Sequence, residues 1–137
     1  MFYANGFRYF GNWVDGERSG EGQMDDSEGL YEGQWMHDAR HHHGRMEYVI
    51  GGYYDGAWTV NQRNGEGTMV YPDGKKYTGG WDDDRREGSG TLWFNHREKY
   101  WGSFHNDEPD GFGERLYANG EKYEGSWKAG MLSLIHI

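Results

Sequence analysis

"YEGQW" spans Tyr31–Trp35 and "YEGSW" spans Tyr123–Trp127, one aromatic-glycine-aromatic phrase near both ends of a short chain. The phrase occurs six times, anchored at Tyr9, Tyr31, Tyr54, Tyr77, Tyr100 and Tyr123, with steps of 22, 23, 23, 23 and 23 residues. Glycine follows each anchor by two places, at Gly11, Gly33, Gly56, Gly79, Gly102 and Gly125. The fourth place after the anchor holds Trp13, Trp35, Trp58, Trp81 and Trp127, with Phe104 in the remaining copy. A fixed period of this length marks a repeat array in which each unit is one supersecondary element.

Alternation then assigns faces. In an extended strand the anchor Tyr, the Gly and the second aromatic share one side, while Glu32 and Gln34, or Glu124 and Ser126, point to the other. About six polar residues follow, as in "TVNQRN" (59–64) and "DDDRRE" (82–87), and read as a loop. Next comes Gly-x-Gly-x-[Met/Leu]-x-aromatic, as in "GEGTMVY" from Gly65 and "GSGTLWF" from Gly88, which alternates again and reads as a second strand. "PDGK" and "ANGE" supply tight-turn chemistry before the next anchor. Each unit is therefore a β-hairpin, and the fold class is all-β: an elongated meander of stacked antiparallel hairpins. Glycine on the aromatic face leaves room for a neighbouring ring to lie flat over the backbone. Two strands per repeat at roughly 4.8 Å predict a rod or trough on the order of 50–60 Å long.

Composition agrees. Of the 137 residues, 34% are hydrophobic but 18% are aromatic, so rings supply over half of the apolar content, and the scarcity of Val, Ile and Leu argues against an ordinary helical bundle or doubly wound sheet. That aromatic share is the opposite of a disordered composition. With no cysteine there is no disulfide framework and no cysteine-ligated zinc. No apolar run approaches the ~20 residues that span a bilayer, and "MFYANGFRYF" lacks the basic start and apolar core of a secretory signal. The expectation is a soluble, cytoplasmic chain.

The pattern Tyr-Glu-Gly-x-Trp, a variable segment, then Gly-x-Gly-x-x-x-Tyr at a period of 23 resembles the MORN repeat (membrane occupation and recognition nexus), from Phe2 to Gly130. The resemblance implies a twisted run of antiparallel hairpins that serves as a scaffold for protein partners. Arrays of this kind occur in ciliary radial-spoke and other axonemal proteins, junctional proteins and parasite cytoskeletal scaffolds. They also stand beside catalytic domains of lipid kinases and a lysine methyltransferase. Cytoskeletal or ciliary association, and a role as the regulatory region of a larger enzyme, are expectations of that resemblance.

The copies are unequal. The chain divides into a partial repeat over 1–8, repeats starting at 9, 31, 54, 77 and 100, and a partial repeat from 123, which reads as part of a longer array. The first copy carries Asp25 and Asp26 where later copies have Val70-Tyr71 or Trp93-Phe94, and is expected to be the weakest hairpin. His42 stands where other copies hold Gly65, Gly88 and Gly111, and Arg97 replaces the turn glycine of the fourth copy. Residues 131–137, "MLSLIHI", leave the rhythm. Leu132 to Ile137 resemble the in-frame translation of a sequencing adaptor and are expected to be non-native and without function.

No constellation carries catalysis. Consecutive imidazoles at His41, His42 and His43 alternate in direction on a strand and cannot converge on zinc, so they read as a solvated loop. Asp82, Asp83 and Asp84 lack the ligand spacing of a calcium loop, and Arg85-Arg86 follow directly. Glu32, Asp55 and Glu124 recur because the repeat recurs, and the Gly-x-Gly pairs lie within strands rather than at a helix start. No enzyme, cofactor or metal is expected.

Fourteen basic against 23 acidic residues give a net charge of −9, which disfavours nucleic acid and anionic lipid. Arg8, Lys76, Lys99 and Lys122 precede anchors on the face opposite the rings, a small basic strip. The expected partner is a protein segment, helix or extended peptide, lying in the trough. Tyr54, Trp58, Tyr77 and Trp81, with Met69 and Leu92, are the expected central lining, and Gly33, Gly56, Gly79, Gly102 and Gly125 the structural glycines. The alternative is a peripheral module for anionic phospholipid head groups, which would use Lys75, Lys76, Arg85 and Arg86. Self-association through the array ends is a further expectation.

Overall fold

The computed structural model describes residues 1–136. Twelve antiparallel strands form one open sheet in strict chain order. They are β1 (Arg8–Val14), β2 (Glu17–Asp25), β3 (Gly29–Met36), β4 (Ala39–Tyr48), β5 (Tyr53–Thr59), β6 (Gln62–Val70), β7 (Lys76–Asp82), β8 (Arg85–Trp93), β9 (Lys99–His105), β10 (Glu108–Leu116), β11 (Lys122–Lys128) and β12 (Met131–His136). No helix is present among the described residues, and so none long and apolar enough to cross a membrane.

The two turns of each repeat have different chemistry. Between β5 and β6 the connection is only Val60-Asn61, both left-handed (φ 44° and 67°). Asp83-Asp84, Asn106-Asp107 and His37-Asp38 repeat this geometry, the type I′ turn whose twist matches that of the flanking strands. The six-residue polar loops expected from the sequence are thus two-residue turns, and Gln62–Asn64 already belong to β6. The extra length is absorbed by a bulge, where the register shifts between Gly56 and Trp58 opposite Gly67 and Arg63. The bulged place requires a left-handed residue: Gly65, Gly88 and Gly111 have φ of 103°, 82° and 95°, and His42 adopts 61° in the same slot. His41, His42 and His43 therefore lie in β4, not in a loop.

Between repeats, "PDG" closes a tight turn: Gly74 donates to the Tyr71 carbonyl, and Asp73 Oδ1 accepts from the Lys75 amide. In the fourth copy, where Arg97 replaces glycine, Asn95 Oδ1 holds the turn by accepting from the Arg97 and Glu98 amides.

The core is a single stripe on one face of the sheet. Tyr9, Tyr31, Tyr54, Tyr77 and Tyr100 are at most 1% exposed, which makes them the innermost side chains of their repeats. Every contact along the spine is edge-to-face, alternating within and between repeats: Tyr54 meets Trp58 of its own repeat at 5.1 Å and Trp81 of the next at 5.4 Å. This geometry suits the ring quadrupole and contributes about 0.5–1.5 kcal/mol per pair beyond burial. The chain of contacts is unbroken from Trp13 to Trp127. Polar ends are satisfied inside the stripe: the Tyr54 hydroxyl donates to the Ala57 carbonyl at 2.8 Å, and Trp58 Nε1 donates to the Gly44 carbonyl at 2.9 Å. Tyr123 departs from the pattern, lying half-buried with its hydroxyl donating to Glu121 Oε2.

The glycines are needed because two backbones and a hydroxyl meet there. A Cβ on Gly79 would come within 2.5 Å of the Gly90 Cα and 2.7 Å of the Tyr77 hydroxyl. One on Gly67 would come within 2.1 Å of the Tyr54 hydroxyl.

The described part of the tail does not leave the sheet. Met131–His136 pairs with β11 as the edge strand, and the Ser133 hydroxyl donates to the Ser126 carbonyl. Ile137 lies outside the described residues.

Candidate partner-binding groove

The six residues expected to line the trough lie at its floor. Tyr54, Trp58, Met69, Tyr77, Trp81 and Leu92 are all buried, at 0–5% exposure. Of these, Trp58 and Met69 reach the wall of an open hollow. Of the expected structural glycines, Gly56, Gly79 and Gly125 are buried, Gly33 and Gly102 half-buried.

Above the rings runs a ladder of arginines that sequence reading missed. The first residue after Trp58's turn that faces the core side is Arg63, the third residue of "NQR", and Arg18, Arg40 and Arg86 hold the same place in other repeats. Each guanidinium covers an aromatic ring of the following repeat: Arg18 lies 4.7 Å above Trp35, Arg40 4.6 Å above Trp58 and Arg63 4.8 Å above Trp81. Each is also fastened to the next repeat's turn. The Arg63 amide and Nε donate to Asp84 Oδ1 at 2.8 and 3.0 Å, Nη2 donates to the Asp84 carbonyl, and the Asp84 amide returns a bond to the Arg63 carbonyl. Arg18 repeats this with Asp38; Arg86 keeps the amide and Nη2 bonds to Asp107, but its buried Nε stands 3.6 Å from the carboxylate and has no acceptor. Asp38 is held below the usual carboxylate range by the hydrogen bonds from the Arg18 backbone and side chain. The carboxylate at Asp84 is therefore an inter-repeat clamp rather than a free loop tip. In the fifth repeat Pro109 and Gly130 occupy the two places and only the backbone bond remains.

Arg40 is the exception within the ladder. Its partner is the neutral Asn61 and its Nη1 lies 3.5 Å from Glu28; its buried Nε, like that of Arg86, has no acceptor. Two hollows meet at this side chain, both lined by Glu28, Arg40 and Asn61. The larger, about 400 Å³, is walled by Tyr48, Ile50, Tyr71 and Pro72. The second, about 320 Å³, continues toward Phe7 and Met24. Burial raises the hydroxyl pKa of Tyr48 and of Tyr71, so both rings present neutral phenols to the groove. At its lip Ile50 is 77% exposed, and its chain neighbour Val49 72%, where the next copy has Asp73 and Pro72. The apolar pair in place of turn-forming polar residues was the signal available in the sequence.

The histidines do not gather. His41 and His42 rings meet edge-on at 4.6 Å, whereas His43 turns to the opposite face, with Nε2 2.9 Å from Asp55. Among the described residues no group of three or more His, Asp or Glu converges to hold a metal ion.

Comparison with protein families places this geometry. A family model described as MORN repeat matches residues 9–30, 31–53, 54–76, 77–95, 100–122 and 123–133. The gap at 96–99 falls on the turn where Arg97 replaces glycine. Comparison with curated proteins finds no match.

Proposed function

The chain belongs to the MORN-repeat family, and from that premise we propose that it is a non-catalytic scaffold whose groove over the second and third repeats receives a protein segment. The observation that carries this reading is the composition of the groove. The arginines lining its two hollows are engaged before any ligand arrives: Arg18 by Asp38, Arg63 by Asp84, and Arg40 by Asn61 and Glu28, with the Arg40 Nε alone left without an acceptor. What it offers outward is apolar and aromatic, namely Ile50 on the lip with Tyr48, Tyr71 and Pro72 behind it. Such a surface suits a helix or extended peptide with one or two apolar anchors. An anionic head group is drawn to clustered cations, and a net charge of −9 disfavours it. A cytoskeletal or ciliary setting is part of the same proposal.

The test compares affinity capture from a ciliated-cell lysate, using wild-type protein and Ile50→Asp, with sedimentation on anionic liposomes at low and moderate salt. The scaffold reading expects captured protein that Ile50→Asp loses and little liposome binding. Strong, salt-sensitive liposome binding with no captured protein would overturn it.

A further inference from the structure

The face opposite the aromatic spine carries a row of side chains that neither the core nor the groove uses. Followed through the cross-strand register, its first half reads Asp25, Leu30, Glu47, Tyr53. Val70 and Lys76 join it to a second half that reads Trp93, Lys99, Leu116, Lys122. Charged and apolar residues alternate, with carboxylates confined to the first half and lysines to the second. Every apolar member is only partly buried, so the row presents rings and aliphatic carbons to solvent.

We propose that this outer face pairs with the same face of a second copy of the chain, the two arrays running antiparallel about a twofold axis that lies along the strands between β6 and β7. That operation exchanges β2 with β11, β3 with β10, β4 with β9 and β5 with β8. It sets Asp25 against Lys122 and Glu47 against Lys99, and it sets Leu30 against Leu116 and Tyr53 against Trp93. A twofold axis along the array instead would place each strand on its own copy, lysine on lysine and carboxylate on carboxylate. The charge pattern therefore selects one orientation. Both copies carry the same hand of twist, and a twofold axis along the strands maps one twisted surface onto the other. Two residues along the strands, the same operation sets Arg45 beside Trp101 and Glu32 beside Glu114. This like-charged pair is outnumbered by the opposite-charged pairs of the main row.

The face is large enough. Ten strands at about 4.8 Å, each contributing about seven residues at roughly 3.3 Å, offer on the order of 1,100 Å² per copy. That exceeds what a specific interface of standard size buries per partner, about 800 Å². Shallow hollows beside Leu30 and Glu47 on one half, and beside Trp93, Lys99 and Leu116 on the other, are brought together by the same axis. The competing partners of the charged groups are exposed: Arg8 Nη2 lies 2.6 Å from Asp25, Arg45 3.3 Å from Glu47 and Lys122 3.3 Å from Glu124, while Lys99 Nζ lies 4.8 Å from the Trp101 ring. Such exposed pairs hold a side chain only weakly and yield to a better-placed partner.

Sedimentation equilibrium of the wild-type chain, Lys99→Glu, Glu47→Lys and the chain carrying both changes tests this arrangement, with circular dichroism melts to establish that each variant is folded. The wild type is expected to dimerise. Each single change is expected to weaken the dimer by about tenfold or more, because it creates two like-charged contacts per dimer. The double change restores it, since a lysine at 47 then faces a glutamate at 99 of the other copy. The pair Asp25→Lys with Lys122→Glu serves the same purpose should a first-pair variant fail to fold. A monomeric wild type, a dimer indifferent to the single changes, or a double variant that stays weakened would each overturn the proposal.

Discussion

Asp84 Oδ1 accepts two hydrogen bonds from Arg63, one repeat earlier, from the backbone amide at 2.8 Å and from Nε at 3.0 Å. The contact spans 21 residues and fastens one hairpin's second strand to the next hairpin's turn. Asp84→Ala strips both donors of their acceptor and is expected to lower stability by about 1–3 kcal/mol. Asp84→Asn keeps the carbonyl oxygen that Asn61 supplies to Arg40 and should cost less than about 1 kcal/mol. Urea denaturation of the two variants checks the difference.

Gly79 and Thr78 are adjacent and face opposite ways. Gly79→Val drives a branched side chain into the Gly90 backbone and the Tyr77 hydroxyl, at a φ of 155° that suits glycine, and is expected to cost roughly 2–4 kcal/mol. Thr78 is exposed and shares a 3.0 Å hydroxyl contact with Thr68. Thr78→Ala should cost under about 1 kcal/mol. Equal melting temperatures for the two would reverse the face assignment.

Val60 occupies the first place of a type I′ turn at φ 44° with its side chain 64% exposed. A β-branched residue is strained there and gains nothing from burial. Val60→Asn is expected to stabilise the protein by about 1 kcal/mol, read as a higher urea midpoint at unchanged slope.

Stability should have two pH limits. Tyr54 and Tyr77 are raised by burial and Tyr100 is pushed up to about 12 by the same cause. The unfolded chain therefore loses these protons first, near pH 10, and stability is complete below that value and lost as pH climbs through the folded pKa values. Asp38 has the opposite sign: held below the ordinary range, it favours the fold above about pH 4, and that contribution is lost as pH falls through its depressed value. Urea midpoints from about pH 3 to 11 should show a plateau that falls at both ends, and Asp38→Asn should flatten the acid limb alone.

The period and the Tyr-Gly-Trp alternation were sufficient to place the hairpins and the buried stripe, because a side-chain period of two leaves one choice of face. Turn lengths were not legible. Thr59, Gln62, Arg63 and Asn64 are polar in strands as they would be in loops, and only backbone dihedrals separate a two-residue turn with a bulge from a six-residue loop. The arginine ladder was hidden for a different reason. Arg63 and Asp84 are 21 positions apart in segments that read as solvated, and their pairing depends on how consecutive repeats are offset. The expected groove lining was chosen from the most apolar residues, and those are the residues the core consumes. Ile50, conspicuous only by standing where Asp73 and Asn119 stand in other copies, is the exposed apolar side chain that the core leaves at the edge of the hollow.

Strict chain order in the sheet bears on how the molecule meets mechanical force. Each strand is hydrogen-bonded only to the strands before and after it, so tension applied at the two ends of the array pulls on edge strands and opens their hydrogen bonds one after another, as a zipper does. Pairs loaded in shear would have to break together. The array should therefore lengthen in small, low-force steps of one hairpin each, and refold by the reverse path when the load is removed, since the partner of every strand is its neighbour in the chain.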